Sequence, residues 1–220
     1  MCGIELYEQG HYDDAVELLT KEAAEGDAKS QHYLGNCYYY GRGVKENKQI
    51  GIILYRLASL NGCVDAQADL ALCLLSGNGC KENAKEAFDW AFEAAKHEHG
   101  VALATLGLIA ENGYVCEKNL NAAFVYYHRS AEAGNSVGNF CVGIFYFLGK
   151  GKIPQNHSVA AHYFEEAAKA GHADACYMLA CMYNDGDGVP VDYEKAIRYL
   201  NLAARNGHER AKQTLNALGI

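Results

Sequence analysis

One phrase is written five times along this chain. "LGNCYYYGRGV" begins at Leu34, and close variants follow at Leu70, Leu106, Val142 and Leu179. The pair at its head recurs at Leu34-Gly35, Leu70-Ala71, Leu106-Gly107, Val142-Gly143, Leu179-Ala180 and Leu215-Asn216, 36 residues apart with one step of 37. A fixed period of that length calls for a row of similar units, each burying its apolar face on the next.

Two further columns say what each unit is. Asn47, Asn83, Asn119, Asn156 and Asp192 fall on the same period, and each side chain can accept from an orphan amide at a helix start. Small-residue pairs followed by Gly26, Gly62, Gly134, Gly171 and Gly207 mark helix ends, where glycine supplies the left-handed residue. Between these marks the apolar spacing is helical: Ala175, Leu179, Met182 and Tyr183 in one segment, Ala196, Tyr199, Leu200 and Ala203 in the next. The Gly-x-Gly step (Gly41/Gly43, Gly77/Gly79, Gly149/Gly151, Gly186/Gly188) turns the chain between the two helices, and the small residues at 35, 71, 107, 143 and 180 allow their close approach.

The fold class is therefore all-α, an α-solenoid of stacked antiparallel hairpins in a right-handed superhelix. The chain reads as one domain over 1–220: a half repeat (1–26), five repeats (27–62, 63–98, 99–134, 135–171, 172–207) and a capping helix (208–220). In the third repeat Val115 replaces the second turn glycine, and Glu98 stands where the closing glycine belongs, so that helix is expected to run on to Gly100. The fourth carries one extra residue near "GKGKIPQN".

The string "ADACYMLACMYNDGDGVPVDYEKAIRYLNLAARNG", residues 173 to 207, resembles the Sel-one-like repeat, a subtype of tetratricopeptide repeat, and the likeness extends over residues 27 to 218. The resemblance implies a non-enzymatic scaffold that binds a peptide, helix or other protein segment in a concave groove lined by the first helix of each repeat. It also raises an alternative, a secreted bacterial protein with penicillin-binding, β-lactamase-like or cell-wall-ligand activity, since some cysteine-rich bacterial members have been linked to penicillin binding and β-lactamase activity. Those members pair cysteines within every repeat, one of them in the second small-residue column. Here that column reads Ser59, Ala95, Ala131, Ala168 and Ala204.

Groove candidates are the first-helix positions not needed for packing: Tyr33, Asn36, Tyr39 and Tyr40, then Asp69, Leu72, Thr105, Leu108 and Asn112, then Ile144, Phe147, Met178 and Asp185. Cys141, Cys181, Ser76 and Leu148 share their columns. Tyr33, Tyr39 and Tyr40 look surplus to packing and form the foremost binding cluster. Tyr38, Tyr146 and Tyr183, and separately Tyr55, Trp90, Tyr127, Tyr163 and Tyr199, read as aromatic packing columns.

A net charge of −8, with no clustered Lys/Arg run, argues against nucleic acid or an anionic membrane as partner. The start lacks a secretory pattern and no apolar run suits a membrane span, so the chain reads as a cytoplasmic monomer. Nine cysteines is an odd number, and Cys37/Cys73 and Cys80/Cys116 sit at equivalent positions. Helix axes ~8–10 Å apart keep such positions beyond the ~4.4–6.8 Å reach of a disulfide. No cofactor or metal is expected. His97 and His99 point away from each other on a helix, His172 and His208 share a loop column and read as solvated, and no nucleophile elbow occurs.

Overall fold

The computed structural model describes residues 2–219; Met1 and Ile220, the outermost positions of the expected domain, lie outside the described residues. Among them are thirteen helices and no strand: α1 (Gly3–Glu8), α2 (Tyr12–Ala24), α3 (Ala28–Tyr40), α4 (Lys48–Leu60), α5 (Val64–Ser76), α6 (Ala84–Ala95), α7 (Gly100–Asn112), α8 (Leu120–Glu132), α9 (Ser136–Leu148), α10 (His157–Lys169), α11 (Ala173–Asp185), α12 (Tyr193–Arg205) and α13 (Glu209–Leu218). The chain divides inside α7 into two compact units, Met1–Ile109 and Ala110–Ile220.

The repeating Asn/Asp column fixes each hairpin twice. Its side-chain oxygen accepts from the amide three residues on, in Asn47 to Ile50 (3.1 Å), Asn83 to Glu86 (3.2 Å), Asn119 to Ala122 (3.0 Å), Asn156 to Val159 (3.1 Å) and Asp192 to Lys195 (3.0 Å). Each cap is worth about 1 kcal/mol. The backbone amide of the same residue donates to a carbonyl in the preceding helix: Asn47 to Tyr38 (2.7 Å), Asn83 to Leu74, Asn119 to Ala110 and Asn156 to Tyr146 (all 2.8 Å), and Asp192 to Tyr183 (2.9 Å). One residue type thus starts the second helix and ties it to the first.

Within each unit the hairpins close on a small-against-large contact. A Cβ added to Gly35 would lie 2.7 Å from the Tyr55 ring, and one added to Gly143 would lie 2.6 Å from the Phe164 ring, so only glycine admits the ring at these two crossings. The inner column of the second helices is Tyr55, Ala91, Tyr127, Phe164 and Leu200, all buried. This corrects the expected aromatic column: Trp90, Tyr163 and Tyr199 sit one residue earlier in the period, beside Leu54 and Tyr126, and are half-buried. The 100° step per residue turns them toward the edge of the interface.

Two loop expectations also change. α6 stops at Ala95 instead of running on, and Glu98 itself takes the left-handed conformation at φ 53°. A non-glycine residue there costs roughly 1–2 kcal/mol, which the repeat geometry imposes in order to start α7 on time. His172 and His208 are not solvated loop residues. Each caps a helix through Nδ1, accepting from Ala175 (3.4 Å) and Ala211 (3.1 Å). Their rings stack on Phe140 and Tyr177 at 4.5 and 4.2 Å. The extra residue of the fourth repeat is taken up in the turn, which spans 149–156 where the others span seven residues, as in 41–47.

Candidate functional site

In the first unit, α3, α4 and α5 surround a hollow of about 360 Å³. Gly41 ends α3 in the left-handed conformation, which sets Tyr39 and Tyr40 on its last turn beside α5. From α5 come Asp69, Leu72, Cys73 and Ser76, with Asn78 following in the turn; Tyr55 of α4 lies behind them. Tyr55 is 1% exposed, and its hydroxyl donates to Asn36 Oδ1 at 2.6 Å. Its ring and that of Tyr39 are 5.7 Å apart, and Tyr40 meets Tyr39 edge-on at 4.9 Å. The rim is open: Tyr40 is 57% and Leu72 44% exposed.

Electrostatically the hollow is an apolar, aromatic cup with one carboxylate. Burial raises the phenol pKa of Tyr55, Tyr39 and Tyr40, and the nearby Asp69 charge adds to the shift in Tyr55 and Tyr40. Burial pushes the Cys73 thiol up to about 11, so it stays protonated at neutral pH and is a poor nucleophile. Asp69 Oδ2 lies 2.7 Å from His32 Nε2. Tyr40 has a second duty, forming with Tyr7 and Tyr12 an aromatic cage whose centroids lie 5.1, 5.5 and 5.6 Å from the Arg42 guanidinium.

The hollow gathers four of the sequence candidates: Tyr39, Tyr40, Asp69 and Leu72. Two of the three tyrosines read as surplus to packing are not. Tyr39 is 7% exposed and belongs to the core with Tyr55 and Leu70. Tyr33 packs on the cluster of α1–α3, edge-on to Tyr7 at 5.0 Å, with its hydroxyl donating to Glu8 at 3.1 Å. Both face the neighbouring helix, which a single-helix wheel does not show. Thr105 is likewise buried, its hydroxyl returning to the Val101 carbonyl at 2.9 Å, so it presents nothing to a groove. Asn36 serves Tyr55, and Leu108 and Asn112 are exposed on α7.

In the second unit Ile144, Phe147 and Met178 are half-buried against the core built by α10–α13, and Phe147 stacks on His157 at 4.7 Å. Asp185 is exposed and borders a separate hollow of about 430 Å³ with Tyr177, Cys181, Leu200 and Leu218. Tyr55, Cys73 and Asn78 were absent from the sequence candidates. The nine cysteines stand as free thiols, and no described helix is long and apolar enough to cross a membrane.

Five consecutive matches to the Sel1 repeat model cover residues 28–63, 64–99, 101–135, 139–172 and 173–208. Cytochrome c oxidase assembly factor 7 of Xenopus tropicalis is 31% identical over 90 residues, 40% of this chain and 39% of that protein. Protein sel-1 homolog 2 of Homo sapiens is 33% identical over 79 residues, 36% of this chain and 12% of that protein. The matches thus span well under half the length of these curated relatives. Among solved structures, a Sel1 repeat protein from Oxalobacter formigenes aligns over 97% of this chain and 84% of its own, with TM-score 0.80 and 30% identity. An immunity protein of Pseudomonas aeruginosa aligns over 93% and 81%, with TM-score 0.66 at 20% identity, a likeness of fold alone.

Proposed function

From the premise that the chain belongs to the Sel1 repeat family, whose fold is typical of protein–protein interaction scaffolds, we propose that it is a non-enzymatic adaptor that captures a segment of another protein on the first helices of its repeats. The observation that carries this reading is the tyrosine hollow of the first unit, which pairs an open aromatic cup with exposed Tyr40 and Leu72 on its rim. Such a cup takes one bulky apolar side chain of a helical or extended partner, and Asp69 beside it favours a basic or amide-bearing neighbour. Leu108, one period beyond Leu72 and 37% exposed, offers the next apolar contact along a bound segment. The chain acts as a single domain, as a cytoplasmic monomer, and without cofactor, nucleic acid or membrane.

Site-specific photo-crosslinking tests the placement. A crosslinking residue at Leu72 should trap a discrete partner, whereas the same residue at Phe92, exposed on α6, should not. Affinity of the purified partner should fall at least ~10-fold in Leu72→Arg, as expected for an interface anchor worth more than about 1.4 kcal/mol. Equal trapping at both positions, or unchanged affinity in Leu72→Arg, overturns the assignment.

A further inference from the structure

The buried polar atoms of this protein are well matched, with a local exception. Among the described residues, the buried side-chain nitrogens and oxygens without a hydrogen-bond partner are His32 Nδ1 and His99 Nδ1. Leaving a buried acceptor or donor unpaired is costly, and both rings border the same group of side chains. One ring nitrogen of His32, Cys63 Sγ and an Asp65 carboxylate oxygen lie within 4.8 Å of one another.

The surroundings of His32 fit a ligand. The residue is 7% exposed, and its ring is held between Tyr33 and Tyr55 at 5.7 and 5.6 Å. Its Nε2 sits 2.7 Å from Asp69 Oδ2. A hydrogen bond there places the proton on Nε2, which in the neutral ring leaves the buried Nδ1 with an unused lone pair. A carboxylate behind the far nitrogen is the arrangement that orients metal-binding imidazoles and raises their basicity.

Cys63 packs with Ala58 and Ala66, but it is out of place in its column. It occupies the N-cap position of α5, and the same column holds Asp27, Asn135, His172 and His208, each of which accepts from an amide of its helix. Cys63 makes no cap hydrogen bond. A metal-bound thiolate at that place would gain from the positive end of the α5 dipole. Asp65, exposed on the first turn of α5, is steadied by His99 Nε2 at 3.1 Å from Oδ1.

We propose that His32 Nδ1, Cys63 Sγ and Asp65 bind a divalent transition metal of the zinc class. Thiolate plus carboxylate neutralise the two positive charges, and the mixed N/S/O set suits zinc or cobalt, where calcium and magnesium take oxygen. Tetrahedral zinc holds its ligand atoms roughly 3.3–3.8 Å apart. Closing the present spacing requires rotation of Asp65, the one ligand at the surface. Binding releases the Cys63 proton and leaves a fourth position for water. The site lies within the first unit and does not depend on the partner-binding reading.

Titration of the chelator-treated full chain with Co²⁺ at neutral pH tests this. One equivalent should bind and show cysteinate-to-cobalt charge-transfer absorption, lost in Cys63→Ser, retained in Cys73→Ser, and shifted to at least ~10-fold higher metal concentration in His32→Gln. X-ray absorption of the zinc-loaded wild type should find one sulfur with nitrogen and oxygen ligands, a readout that stands even where a variant fails to fold. Absence of stoichiometric binding, a charge-transfer band surviving in folded Cys63→Ser, or a zinc shell without sulfur overturns the proposal.

Discussion

Tyr39 and Glu111 occupy the same place in the repeat, two periods apart, and solve the same problem differently. In the first unit Tyr39 lays its ring near Tyr55, whose hydroxyl turns to Asn36, and Lys48 caps the Tyr39 ring at 5.5 Å. In the second unit Glu111 takes the hydroxyl of Tyr127, the counterpart of Tyr55, at 2.9 Å, and pairs with Lys150 at 2.5 Å. The acceptor has moved three residues along the first helix, which keeps it on the same face. The difference teaches that one repeat frame yields either an open aromatic cup or a closed ionic network, according to where a single acceptor stands.

The largest expected effect breaks both sides alike. Tyr55→Ala and Tyr127→Ala each remove a ring that is 1% exposed and should each cost about 3–5 kcal/mol in urea unfolding. A markedly smaller loss for Tyr55 would mean that the cup is not packed against its floor. Next, Glu111→Leu strands the half-buried Lys150 ammonium and the Tyr127 hydroxyl and should cost about 1–3 kcal/mol, whereas Tyr39→Phe should cost less than about 1 kcal/mol. A double-mutant cycle with Lys150→Met should recover part of the Glu111 loss and separates pairing from packing.

Alkali gives a smaller, graded contrast. Burial raises Cys141 to about 12 in the second unit, with the Glu111 charge adding to it, and raises Cys73 to about 11 in the first. Because an unfolded thiol loses its proton near pH ~8.5, the unfolded chain binds fewer protons above that pH, and these groups' stabilisation declines as pH rises toward 11 and 12. Unfolding midpoints should fall over that window, and at pH 8 a thiol reagent should modify exposed Cys2 and Cys116 well before Cys141. The smallest effect on stability belongs to Tyr40→Ala, within about 1 kcal/mol for an exposed ring over Arg42. It should nevertheless weaken partner binding, and a large loss of stability with intact binding would make Tyr40 a structural residue.

Much of the architecture was legible because it depends on local chemistry repeated in register. The Asn/Asp column announces helix starts, and all five members cap. The site was only partly legible. Helical spacing picks out Tyr40, Asp69 and Leu72, which line the hollow, but it also places Tyr39 and Thr105 outward, although neighbouring helices bury them. The N-cap column through Asp27, Cys63, His99, Asn135, His172 and His208 is also written in the sequence, and a cysteine is its odd member.

By itself, then, the sequence determined the period, the hairpin, its caps and its turns, since each is set by residues within one repeat. Only the tertiary structure decided which aromatic rings fill the inner column, which candidates remain exposed, and that His32 meets Cys63 and Asp65 across successive repeats. The physical reason is one of range. Caps and turns are hydrogen bonds between residues a few positions apart, whereas burial and the convergence of ligand atoms depend on how whole helices pack, which no single period records.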